Sequence, residues 1–164
     1  MKTAIYCLCS SEPGANAILV HLRNAGFGME ISVFLHNRQD TKEMAPQENA
    51  VRGAEIGLVA GALVALLVPG LGPALALGPL LAMFNGAVAG GVVGGLIGGT
   101  GAFEPLGLPD ELADRLHRQV SEGDILIGVH TDDPIALEKA QKIFESEGAE
   151  HIYDSRQVAR EPVR

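Results

Sequence analysis

The chain has 164 residues, enough for one domain with a hydrophobic core or for a small domain with an appendage. Its formal net charge of −8 argues against a nucleic-acid partner, because phosphate binding requires a basic surface, and it disfavours electrostatic adsorption to anionic lipid. Hydrophobic residues make up 47% of the chain and charged residues 20%, and the two classes are segregated: no Asp, Glu, Lys or Arg occurs between Ile56 and Phe103.

The flank that precedes this charge-free stretch has the pattern of a strand, a helix and a second strand. Residues 3–9 are apolar with β-branched and aromatic members, which predicts a buried strand. Ser10 or Ser11 then caps a helix that ends at Gly26. Residues 30–36 alternate in polarity and predict the second strand.

The flank that follows the stretch has a similar pattern. It predicts a helix over 109–121, a strand over 124–130, a helix from Pro134 to residue 147 and a strand over 150–154, followed by a charged tail over 157–164.

Together the flanks contain two β-α-β units, which is the ferredoxin-like plan of an α+β sandwich. We therefore predict a discontinuous domain over 1–37 and 107–156, interrupted by a polar linker over 38–50 and an apolar block over 51–104. In this plan the third strand of the flanks lies between the first two and runs antiparallel to both.

Alternation along these strands predicts two apolar faces of the sheet. One face carries residues such as Ile5, Val33 and Ile127, which can pack against the two helices of the β-α-β units. The other face carries a second apolar set that must also be covered, because a sheet does not leave it in water. We expect an interface there, formed with a second copy of the chain or with the folded-back apolar block, at Tyr6, Leu8, Phe34 and Leu126.

The apolar block, residues 51–104, contains glycines at four-residue spacing. Such spacing places small residues on one face of a helix, where two backbones can approach closely. The glycine rows are Gly53, Gly57 and Gly61, and Gly86, Gly90, Gly94 and Gly98.

This pattern predicts a glycine-zipper hairpin of two helices, over 49–68 and 74–100, joined at Pro69–Pro73. Each helix is long enough to cross a bilayer of about 30 Å. Two interpretations stay open: a hairpin inserted in a membrane, and a hairpin buried inside a soluble homo-oligomer.

The chain resembles the bacterial general stress protein (17M-like) domain family, in which a Gly/Ala-rich apolar block interrupts a short α/β domain. The matching stretches are Ala25-Gly26-Phe27, Glu30 to Val33, Gly57 to Gly99, Leu108-Pro109, Gly123 to Val129 and Gly148-Ala149-Glu150. The resemblance implies a stress-related and membrane-associated role, and it implies no catalytic residues.

Cys7 and Cys9 are the best candidates for chemistry, because their side chains share one face of a strand and could hold a soft metal with a third ligand. They cannot form an ordinary disulfide with each other, which indicates a reducing compartment. Beside Ile5 on the helix-covered face they are more typical of small hydrophobic residues. His36 and His130 end antiparallel strands at opposite edges and predict no shared site. We therefore predict no catalytic residues, no metal and no cofactor.

The sequence predicts a membrane-associated, homo-oligomeric, stress-related protein without catalytic activity, with its α/β domain in the cytoplasm. Its partners are other copies of the chain and membrane lipid, and no nucleic acid. The alternative is a soluble oligomeric ligand-binding or regulatory module in the cytoplasm, with the hairpin buried in the assembly.

Overall fold

The strands and helices follow from a computed structural model that describes residues 3–36, 64–68, 72–80, 106 and 108–158. The strands are β1 (Ala4–Cys9), β2 (Ile31–His36), β3 (Val64–Val68), β4 (Gly72–Leu77), β5 (Ile125–His130) and β6 (Glu150–Asp154). The helices are α1 (Glu12–Asn24), α2 (Asp110–Glu122), α3 (Pro134–Ser146) and α4 (Ser155–Val158). The α+β class and the elements predicted in both flanks are confirmed.

The two helices that follow β1 and β5 begin at side-chain caps. The Ser11 hydroxyl accepts a hydrogen bond from the backbone N–H of Gly14 at 3.2 Å, so Ser11 is the N-cap of α1. The Asp133 carboxylate accepts one from the N–H of Ile135 at 2.9 Å, and Pro134 occupies the first turn of α3. These caps determine where the helix begins after each of the two strands.

The strands form one sheet in the order β3-β4-β2-β5-β1-β6, and all neighbours are antiparallel. β5 lies between β1 and β2, as predicted, with Ile127 opposite both Cys7 and Val33. β1 and β2 therefore run parallel to each other without touching.

Both faces of the sheet are covered by helices. The helix-pair face, which carries Ile5 and Val33, packs against α1 and α3 in one buried cluster. The α2 face, which carries Tyr6 and Phe34, packs against α2 in a second cluster. The sheet is thus the middle layer of three.

The prediction of helices over 64–68 and 74–77 is wrong, because these residues belong to β3 and β4. The two strands pair antiparallel, with Leu66 opposite Ala74, and β4 continues the sheet by pairing with β2. Pairing satisfies backbone groups on the outer edge of β2 that a separate helix would leave open, and the Val-Ala-Leu-Leu-Val run of β3 suits a strand.

Residues 49–63 and 81–100 of the predicted hairpin, which include all seven glycines of the two rows, lie outside the described residues, as does the predicted linker over 38–50. Among the helices that the structure describes, none combines the length and the apolar character needed to cross a bilayer.

Candidate functional site

Residues 81–105 contain the row from Gly86 to Gly98 and are called the glycine-rich block. This block follows a junction formed by residues 78–80, directly after β4. Gly78 has a φ of +75°, and a Cβ atom at this position would overlap the carbonyl oxygen of Ile31. Both the left-handed backbone and the close approach require glycine. The junction therefore lies directly against the start of β2.

A buried hydrogen bond holds the next turn of the junction. The backbone N–H of Leu80 donates to the hydroxyl oxygen of Ser32 at 3.2 Å. Ser32 is fully buried in β2, and the Leu80 side chain is fully buried in the cluster on the α2 face. The bond satisfies two polar groups that water does not reach, and it fixes where the block leaves the sheet.

The predicted interface residues Tyr6, Leu8, Phe34 and Leu126 are all buried within the single chain. They lie under Ala113, Leu116 and Val120 of α2, together with three leucines that flank the glycine-rich block on either side, Leu80, Leu106 and Leu108. The sequence left two covers open for this face, a second copy or the folded-back apolar block. The observed layer comes from the same chain: Leu80 belongs to the apolar block, whereas α2 was not among the expected covers. The sequence predicted the helix α2 but not the layer to which it belongs.

The two cysteines lie on the helix-pair face in the same cluster as Ile5, as expected for small hydrophobic residues. Cys7 is fully buried, and burial raises the pKa of its thiol, with a further contribution from neighbouring Cys9. Cys9 donates a hydrogen bond to the carbonyl oxygen of Ser11 at 3.3 Å. Within the described residues, no group of three or more His, Cys, Asp or Glu side chains has the arrangement of a metal site.

Two small clefts lie at opposite ends of the sheet. One, of about 290 Å³, lies where β2 ends and is lined by polar groups that include Ser10, Glu12, His36 and Asp124. The other, of about 390 Å³, lies at the opposite end between α1 and α3; its lining residues are Ala25, Gly26, Phe27, Glu30, Thr131, Asp133, Ile135, Ala136 and Lys139.

The histidines at the ends of β2 and β5 are far apart, as predicted. The pairing of Leu35 with Ile125 places His36 beside the start of β5, whereas the backbone N–H of His130 donates to the carbonyl oxygen of Glu30 at the other end of the sheet. The buried ring of His130 and the ring of Tyr6 are in a T-shaped arrangement, with centroids 5.5 Å apart. The two histidines therefore do not share a site.

The end of β6 carries an ion pair between the buried Asp154 and the partly exposed Arg156, which the sequence did not predict. Arg156 contacts both carboxylate oxygens of Asp154, the shorter distance being 2.6 Å, and the Ser155 hydroxyl accepts a hydrogen bond from the backbone N–H of Ala4 at 3.0 Å. Asp154 is buried, and its hydrogen bonds raise the pKa of the Arg156 guanidinium. An Asp followed two residues later by Arg at a strand end was the available signal.

Comparison of the chain with models of protein families, with curated proteins and with solved structures finds no match to any of them.

Proposed function

We propose that this chain is a non-catalytic, self-associating protein in which a ferredoxin-like α+β domain carries a glycine-zipper block that joins copies together. The order β2-β5-β1-β6 supports the ferredoxin-like part, because it is the strand order of two β-α-β units with the insertion between the second and third strands of the plan. The stress-related role is part of the proposal through the family resemblance alone.

The observation that carries the proposal is the junction. The Gly78 turn and the bond from Leu80 to Ser32 fix the block to the sheet, so the glycine row of Gly86 to Gly98 follows a rigid point of the domain. Each glycine costs a helix in water about 1 kcal/mol relative to alanine, so a helix with this row requires close packing to compensate. Another copy of the same row provides that packing.

Lipid is a narrower part of the proposal. A hairpin that crosses a bilayer twice needs two apolar helices. The last five residues of the first predicted helix, over 49–68, belong to the strand β3 instead. The charge-free residues from Ile56 to the start of β3 would extend about 12 Å as a helix, against a hydrocarbon core of about 30 Å. Only residues 81–103 remain long enough to contact the bilayer interior. Self-association is therefore the role that we put first.

The test is the mass of the full-length protein and of two variants by light scattering during size-exclusion chromatography. Wild-type protein is expected to elute as an oligomer, and Gly90→Leu with Gly94→Leu is expected to shift it to smaller species, because leucine holds the two backbones apart. Val92→Leu with Val93→Leu is the matched control, with added bulk in the same block but off both glycine positions, and is expected to keep the wild-type mass.

A monomeric wild-type protein, or equal masses for all three proteins, would contradict the proposal. Flotation with neutral phosphatidylcholine vesicles separates the two partners. Protein that floats with the vesicles has lipid as a further partner, whereas an oligomer that stays at the bottom of the gradient associates with itself alone.

A small-molecule-binding module is the second candidate, and the cleft of about 390 Å³ between α1 and α3 favours it. Its volume lies within the range of small-molecule sites, and it combines Phe27 and Ile135 with the charged groups of Glu30 and Lys139. A metabolite panel in a thermal-shift assay tests it: a ligand that raises Tm in wild type but not in Ala136→Trp, which fills the cleft, would support binding there.

A further inference from the structure

The two edges of the sheet differ in how they are protected. At the β6 edge, the register with β1 shifts between Tyr6 and Leu8, and His151 has a positive φ of 49°. Glu150 and His151 are both exposed. A bulge and polar side chains are devices that prevent an edge strand from pairing with another chain. The β6 edge is therefore protected against pairing with a strand of another chain.

The β3 edge has none of these devices. Its five residues, Val64 to Val68, contain no charged residue, no proline and no glycine, and pair in unbroken register with β4. Among the residues that the structure describes, β4 is the one strand beside β3. A regular apolar strand in this position offers a row of backbone N–H and C=O groups that template another strand.

The charge of the chain favours a second copy at this edge. Each chain carries a formal net charge of −8, so two copies repel one another over most of their surfaces. The charge-free stretch from Ile56 to Phe103 contains β3, and two copies can meet there without bringing like charges together. β3 can also pair with the same strand of a second copy. In an antiparallel pair centred on Leu66, Val64 of each copy lies opposite Val68 of the other copy.

We infer that two copies of the chain pair through β3, antiparallel across a two-fold axis at Leu66, and join their sheets into one continuous sheet. Such an interface is isologous, since the same strand serves both subunits. The inference rests on the proposed self-association and assigns one of its interfaces to the β3 edge.

The first test uses charge at the two-fold axis. Leu66→Lys and Leu66→Glu each place like charges opposite one another in a symmetric pair, and each is expected to raise the dissociation constant of this contact about tenfold or more. Mixing the two variants is expected to restore association, because Lys then faces Glu. Leu66→Met keeps the volume and is the matched control, with wild-type association expected.

The second test does not depend on how the charged variants fold. Leu66→Cys places two thiols opposite one another in the proposed pair, and oxidised glutathione is expected to convert it to a covalent dimer on a non-reducing gel. Ile135→Cys is the control, because Ile135 is exposed on α3, away from β3, and it is expected to stay largely monomeric on that gel. Equal cross-linking of both variants would overturn the inference.

The outcomes separate the two proposals. If the glycine pair Gly90→Leu with Gly94→Leu lowers the mass but the Leu66 variants associate as wild type does, the β3 contact is wrong and the proposed function survives. If wild-type protein is monomeric and Leu66→Cys does not cross-link, both are wrong. Restored association on mixing the Lys and Glu variants supports the β3 contact in the stated register.

Discussion

The two faces of the sheet are both buried, but different parts of the chain cover them. The helix-pair face is covered by α1 and α3, each of which lies in the chain between two strands of the sheet that it covers. The α2 face is covered by α2 together with Leu80, Leu106 and Leu108, which flank the glycine-rich block on either side. The residues on either side of the block therefore complete the core of the domain.

The largest effect that tests this comparison is expected from Gly78→Ala. The new Cβ atom overlaps the Ile31 carbonyl oxygen, and the alanine must adopt a left-handed backbone conformation. The junction must therefore move away from the sheet, which withdraws Leu80 from the core. We expect a loss of about 4 kcal/mol or more in the free energy of unfolding, measured with urea.

Gly148→Ala is the matched control for that variant. Gly148 has a similar φ of +68°, but a Cβ atom there would meet nothing within 4 Å. It should cost only the backbone strain, about 1 kcal/mol. Equal losses for the two variants would mean that the junction does not lie against Ile31.

Leu80→Ala is expected to have the next largest effect. The side chain is as completely buried as that of Leu19 on the helix-pair face, so both truncations should cost about 3 kcal/mol. Urea unfolding of Leu80→Ala and Leu19→Ala makes the comparison directly. A loss below about 1 kcal/mol for Leu80→Ala alone would show that the junction is not part of the core.

The smallest effect is the dependence of stability on alkaline pH. Burial raises the pKa of the Cys7 thiol on the helix-pair face and the pKa of the Tyr6 phenol on the α2 face. Both groups stay protonated in the folded chain while they ionise in the unfolded chain, so unfolding releases protons. Stability is therefore full below about pH 8.5 and falls at higher pH, first through Cys7 and then, above about pH 10, through Tyr6.

The slope is at most about 1.4 kcal/mol per pH unit for each group. Urea unfolding at pH 7 to 11 measures it, with Cys7→Ala and Tyr6→Phe each expected to remove one step. A Cys7→Ala profile that coincides with the wild-type profile between pH 8.5 and 10 would mean that water reaches the helix-pair face.

The elements of the flanks were predictable because local signals determine them. Ser11 and Asp133 are N-caps, and alternation in β1 placed Ile5 and Tyr6 on opposite faces. The central position of β5 followed from the order of elements, because two β-α-β units permit few arrangements.

The strands β3 and β4 were not predictable from the same reasoning. The four-residue glycine spacing on either side of them favours helices, and the partner that makes them strands, the outer edge of β2, is distant in the sequence. The cover of Tyr6 was missed for a related reason. The apolar stripe of α2 shows that the helix is buried, but it does not show against which face.

The position of β5 between β1 and β2 also determines when this protein can fold during its synthesis. β1 and β2 are joined through β5, which leaves the ribosome after the entire glycine-rich block. Until then the apolar strands and the charge-free block coexist in the nascent chain, and long-range pairing of this kind is slow and prone to aggregation. We therefore expect the sheet to assemble only after His130 has emerged.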